Sequence, residues 1–346
     1  MEARILKLAL CATLSASLGA SAALAASYRT QNFLVSAHSQ RLAQEVAVAA
    51  ERYRQRLAVD WLGQDLPPWT GSCPITVFAK PGLPAGGATS FGFHRGQPLG
   101  WTMQIQGSRE RILDSVLPHE VLHTVFATHF GQPLPRWADE GACTTVEHRS
   151  EQTKQQDLLI RFLTTRPNRG IAFNQMFAMR DYPRDILPLY AQGYSVTKFL
   201  LARGGKRQFV EFVKTGLANQ NWAGASSRYY EIRDLSDLQT TWLDWVRSGS
   251  PAPGFTRPAA GTDLVNPIPR DPFQADPTPS NGFPAGALAQ AGKQHQLLAT
   301  ATSTAASRNP FAGSPAGWYA RRAEAARLQR TQRSQRPSKT AAPAGN

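Results

Sequence analysis

The chain is expected to fold as an α+β domain with a small N-terminal sheet, a central helix carrying a His-Glu-x-x-His stretch, and a mainly helical C-terminal half. Strand-like segments are confined to the first third. Apolar residues recur at helical spacing around and beyond them, and the most informative stretch is Pro118-His119-Glu120-Val121-Leu122-His123.

The elements follow in chain order. Met1 to about Ala26 has Arg4 and Lys7, then a Leu-, Ala- and Ser-rich run ending Ala23-Leu24-Ala25-Ala26. This is the pattern of a secretory signal peptide, residues 1–26, and it is too weakly apolar for a stable membrane anchor. The expected destination is therefore secreted, periplasmic or at the cell envelope. Removing the leader leaves Cys73 and Cys143, which could form a single disulfide. Neither has the close Cys/His spacing of a cysteine-based zinc site.

His38 to Leu62 carries Leu42, Val46, Ala49, Tyr53, Leu57 and Trp61 at spacings near three and four, which predicts a long helix ended by Gly63 and Pro67-Pro68. Residues 74–80 read as a short strand, and Pro81 to Gly96 as a glycine-rich excursion. Gly100 to Gln106 alternates apolar and polar side chains, as a strand with one wetter face does. An open edge on that strand would border a cleft and pair with an extended peptide; ordinary sheet packing explains the alternation equally well. Next, Ile112, Leu113, Val116, Leu117, Val121, Leu122, Val125 and Phe126 mark an amphipathic helix. Pro118 is its awkward residue, because an interior proline clashes with the preceding turn. Either a helix from about Arg109 is kinked there, or the ligand-bearing helix starts near Ser115.

Two histidines four apart on a helix share one face, so the imidazoles of His119 and His123 can reach one Zn2+. Glu120 sits at the edge of that face, where its carboxylate can take a proton from a water rather than bind the ion. A third protein ligand is needed, and after the break at Pro133-Leu134-Pro135 a new helix offers Glu140, with Asp139 as local rival. His129 is a second alternative, since His119, His123 and His129 match the metzincin ligand spacing. That pattern has glycine where this chain has Phe126. Without the sharp turn a glycine permits, His129 would lie about 15 Å along the axis from His119 and off the ligand face.

His119-Glu120-Val121-Leu122-His123, followed by Pro135-Arg136-Trp137-Ala138-Asp139-Glu140-Gly141-Ala142, resembles the peptidase MA-like gluzincins. Tyr190-Ala191-Gln192-Gly193-Tyr194-Ser195 and the segments around Gly204-Gly205 and Phe209-Val213 are similar to that family's downstream helices. The likeness spans about residues 40 to 245. It implies a zincin-like metallopeptidase fold, a zinc ion on His119, His123 and Glu140, and Glu120 as general base. The chain departs from thermolysin-like relatives at Thr144, where an acid would orient the first histidine; Glu147 or Asp114 is the expected substitute.

The expected reaction is zinc-dependent hydrolysis of peptide bonds in peptides or proteins, with Glu120 activating the water. A further donor should meet the developing oxyanion. Tyr194 is the first candidate, with Tyr190 and His148 next. Segments 187–202, 209–216 and 237–247 are expected to close the second side of the cleft, with Trp242 and Trp245 packing it. The competing class is a catalytically inactive zincin-like binding module at the cell envelope, to which Thr144 lends weight.

The catalytic domain is expected to be residues 27–250, followed by a Pro-, Gly- and Ala-rich tail, 251–346, too poor in large apolar residues for a core. That tail holds 11 Lys and Arg against 4 Asp and Glu, half of the formal +14. Its basic balance suits anionic envelope polymers. No nucleic-acid-binding motif accompanies it, so no specific nucleic-acid partner is expected.

Overall fold

The computed structural model describes residues 26–251, so the leader and nearly all of the basic tail lie outside the described residues. Strands β1 (Ala26–Arg29) and β2 (Phe33–Ala37) open the domain. In β2 the alternate residues Phe33, Val35 and Ala37 are buried, the two-residue period of a strand with one face on a core.

Helix α1 (Gln40–Leu62) follows, two residues shorter at its start than the periodicity suggests. The Ser39 hydroxyl accepts the Leu42 backbone N–H at its N-terminus. Gly63, at φ +78°, closes the other end in the left-handed conformation. Its buried stripe, including Leu42, Val46, Ala50, Leu57 and Trp61, is the one the spacing marks.

Strands β3 (Cys73–Ala79), β4 (Gly86–His94) and β5 (Gln97–Gly107) complete a five-stranded sheet ordered β1-β2-β3-β5-β4. The inner strands β2, β3 and β5 run parallel, while β1 and β4 are antiparallel to their neighbours. This corrects the expectation for residues 100–106. β5 is paired on both sides, to β3 and β4, so it has no open edge over the paired stretch. The outer strand is β4, within the segment that reads as a glycine-rich excursion.

After β5 the chain enters one continuous helical run: α2 (Arg109–Arg111), a π-helical turn (Ile112–Val116) and α3 (Leu117–Phe130). Both expectations for Pro118 are met in part. The run begins at Arg109, and the widened turn lets α3 restart at Leu117 with Pro118 in its first turn, where the missing N–H costs little. Gly131, at φ +63°, ends α3; a Cβ there would meet the Gly96 carbonyl oxygen at 2.5 Å.

The remainder is helical: α4 (Arg136–Thr144), α5 (Arg149–Thr164), α6 (Phe173–Ala178), α7 (Leu187–Asn219), α8 (Trp222–Tyr230) and α9 (Leu235–Arg247). The two expected segments 187–202 and 209–216 lie in α7 as two helices that meet at a kink, Gly205, whose φ of +73° and ψ of −179° suit glycine alone. The α4 residue Trp137 is fully buried among aromatic rings. It stacks on Phe177 of α6 at 4.3 Å and meets Phe209 and Phe212 of α7 and Trp222 of α8 at about 6 Å, which ties α4 to the helical half. Trp242 and Trp245 of α9 are likewise buried. The architecture is thus α+β, with a small N-terminal sheet and a mostly helical remainder. No helix among the described residues is long and apolar enough to cross a membrane.

Cys73 and Cys143 are both buried and unbonded, which overturns the possible disulfide. Each is placed by its own core: Cys73 starts an inner strand, and Cys143 lies on α4 with its sulfur 3.3 Å from Nδ1 of His123. Burial, reinforced by the charge of Glu120, pushes the Cys73 thiol up to about 12.

Candidate metal centre

Helix α3 presents His119 and His123 one turn apart, and both side chains are buried. Helix α4 crosses it and brings in Glu140, which is fully buried. Glu140 Oε2 lies 3.5 Å from Nε2 of His119 and 3.7 Å from Nε2 of His123. Ligand atoms about 2.0–2.1 Å from a tetrahedral ion are separated by about 3.3–3.4 Å, so Glu140 Oε2 stands a little farther from each imidazole nitrogen than two ligands of one such ion would.

The other face of each imidazole is held by a carboxylate. Glu147 Oε1 is 2.5 Å from Nδ1 of His119, and Asp139 Oδ1 is 2.8 Å from Nδ1 of His123. A carboxylate on Nδ1 fixes the tautomer that aims Nε2 inward and raises the basicity of the ring. This arrangement separates the rivals of the sequence reading. Asp139 orients a histidine while Glu140 joins the Nε2 atoms, although the two acids are adjacent in sequence. Thr144 folds its hydroxyl back onto the Glu140 carbonyl at 2.9 Å. The support missing there is supplied by Glu147, while Asp114 is engaged with Arg111 and Ser115.

Two overlapping groups of buried ligand-type residues are present among the described residues: His119, His123 and Cys143, and His123, Asp139 and Glu140. Either could hold a metal ion. Cys143 and Asp139 approach the Nδ1 side of His123, whereas Glu140 Oε2 faces Nε2 of both histidines. His129 joins neither group; burial and the charge of Lys214 lower its basicity at the far end of α3.

The site is rich in negative charge. Four carboxylates, those of Glu120, Asp139, Glu140 and Glu147, surround two imidazoles, and Arg136 approaches Asp139 only at 3.9 Å. Burial alone would keep His119 neutral, but Glu147, Glu140 and Glu120 outweigh it and raise the imidazole to about 10. Burial also pushes the Glu147 carboxyl upward, against the pull of His119. A divalent cation would add positive charge to this cluster of carboxylates.

Glu120 is completely buried and its carboxylate meets the sheet. Thr89 of β4 donates its hydroxyl to Glu120 Oε2 at 2.6 Å. Gly87, two residues earlier on β4, leaves the space: a Cβ there would lie 2.7 Å from Glu120 Cγ, 2.8 Å from Oε1 and 2.8 Å from Val116 Cγ1. Gly87→Ala should therefore displace the Glu120 carboxylate and leave the three ligand residues in place. We expect this variant to keep its metal content while losing at least about tenfold in any turnover that depends on Glu120 as base. Metal analysis beside a turnover assay checks it.

The candidate phenols separate as well. Tyr194 donates to Gln152 Oε1 at 3.2 Å, and the Gln152 amide in turn donates to the carbonyls of Thr145 and Glu147. Burial and the Glu147 charge push Tyr194 up to about 12. Tyr190, one turn earlier, lies parallel to the ring of Tyr182, 6.3 Å away. His148 is exposed and caps α5 through Ser150. Tyr182 itself, absent from the sequence expectation, donates its hydroxyl to Glu140 Oε1. It sits between α6 and α7, where no periodicity signals it.

No protein-family model and no curated protein matches this chain.

Proposed function

We propose that this chain is a zinc-dependent peptidase of the gluzincin type, hydrolysing peptide bonds in peptides or proteins outside the cytoplasm. The observation that carries this reading is the convergence of two Nε2 atoms and one carboxylate oxygen, each imidazole backed by a carboxylate, with a further buried carboxylate, Glu120, beside the first ligand. The His, His, Glu donor set is borderline in softness and suits zinc.

A zinc ion held by His119, His123 and Glu140 would polarise the scissile carbonyl and lower the pKa of a water. Glu120 takes the proton released by the attacking water and returns it to the departing amine. Thr89 steadies that carboxylate from β4 while it does so. An extended substrate pairs its backbone with the outer side of β4, on the strand that holds the base. Oxyanion donation falls to the α7 phenols. The hydroxyl of Tyr194 must leave Gln152 to serve, whereas Tyr190 stands beside Tyr182 and the ligand glutamate, so we rank Tyr190 first.

Glu120→Gln tests the reading, because the amide keeps the shape but cannot accept the proton. Purified protein should retain stoichiometric zinc while hydrolysis of a quenched fluorescent peptide library falls by about 10²–10⁴-fold. Cleavage by the variant at the parental rate would sink the assignment. Zinc uptake with no hydrolysis by the parental chain would favour the binding module.

A further inference from the structure

We propose that Tyr182 is a positioning residue for the ligand carboxylate: its phenol holds Oε1 of Glu140, so that Glu140 offers Oε2 alone to the metal. The inference rests on the metal reading above and extends it to a residue outside both ligand-bearing helices.

Tyr182 lies in the segment between α6 and α7 and is half-buried, whereas Glu140 is fully buried. Its hydroxyl donates to Oε1, the oxygen that does not face the two Nε2 atoms. Two groups neighbour the ring. The Arg136 guanidinium carbon stands 4.5 Å from its centroid, and the Tyr190 ring runs parallel within 10° at 6.3 Å. Arg136 and Glu140 are one turn apart on α4, so the cation that neighbours the ring and the carboxylate that receives its hydroxyl share one helix face. The loop is thereby docked onto the ligand itself.

The chemistry favours a phenol in this place. A buried carboxylate has several lone pairs to satisfy, and leaving them bare is costly. A lysine or arginine would satisfy Oε1 but would cancel the negative charge that Glu140 brings to the ion. A tyrosine hydroxyl donates without a charge of its own, and with Oε1 engaged the carboxylate is held from swinging both oxygens toward the metal.

Tyr182→Phe removes only the hydroxyl and keeps the ring between Arg136 and Tyr190. Cobalt(II) is the probe, since its visible bands are strong with four donors and weaken when a fifth is added. Cobalt-loaded parental protein should show the intense spectrum, and cobalt-loaded Tyr182→Phe a several-fold weaker one, together with an affinity for zinc lowered by about tenfold or more. A variant with the parental spectrum and a zinc affinity within about twofold of the parent overturns the role of Tyr182 and leaves the metal site standing. Failure of the parental protein to take up either ion overturns both.

Discussion

Glu140→Ala is expected to release the metal from purified protein, while His129→Ala keeps it. The contrast follows from where the two side chains lie. Glu140 Oε2 is within 3.7 Å of both Nε2 atoms, and His129 lies at the far end of α3, in neither group of ligand-type residues. Outer partners such as Asp139 and Glu147 are worth about 10–100-fold in affinity, and loss of a direct ligand should exceed that. The loss is also readable as stability. A ligand at a thousand times its dissociation constant adds about 4 kcal/mol, which for a domain of this length corresponds to about 8–16 °C in melting temperature. Zinc should raise the melting point of the parental protein and of His129→Ala by that order, and leave Glu140→Ala unmoved. Equal zinc in the Glu140 variant, with loss in the His129 variant, would transfer the third ligand to His129.

Gly193→Ala is expected to damage the centre without touching a ligand. Helices α4 and α7 cross at Gly141 and Gly193. A Cβ on Gly193 would stand 2.7 Å from the Trp137 carbonyl oxygen, and a Cβ on Gly141 would stand 2.3 Å from the Gly193 carbonyl oxygen. These neighbours are backbone, so a rotamer change cannot relieve them; the helices must move apart. Inserting a methyl into such packing costs about 1–3 kcal/mol. Glu140 adjoins Gly141 on α4, so the displacement also widens the gap between Oε2 and the imidazoles. We expect Gly193→Ala to be less stable by that amount and to bind zinc at least about tenfold more weakly, a loss comparable to that of an outer partner. Calorimetry with a zinc titration measures both, and parental stability with parental affinity would show that the close crossing does not set the position of Glu140.

The helical part of this architecture was legible because its signals are local. Periodicity marks α1, and the spacing of His119, Glu120 and His123 marks them as neighbours on one helix. The strand β4 was not legible, for a reason that lies elsewhere in the fold. Gly86 and Gly87 look like loop residues, yet the second glycine is there because Glu120 occupies the space a side chain would need. The requirement of a residue more than thirty positions away has overwritten the strand's own preference. Tyr182 was hidden likewise, since its hydroxyl meets Glu140 through a tertiary contact between a loop and a helix. The motif resemblance points to Glu140 rather than Asp139, but the separate contacts of each acid depend on the rotation of α4, which its crossing with α7 helps to fix.

The unbonded state of Cys73 and Cys143 has a consequence for handling and for biology alike. With no covalent crosslink between them, cohesion of the domain owes nothing to a disulfide, and thiol reductants should neither loosen it nor be needed to recover it. A polypeptide built this way can reach its native state in a reducing or an oxidising compartment alike.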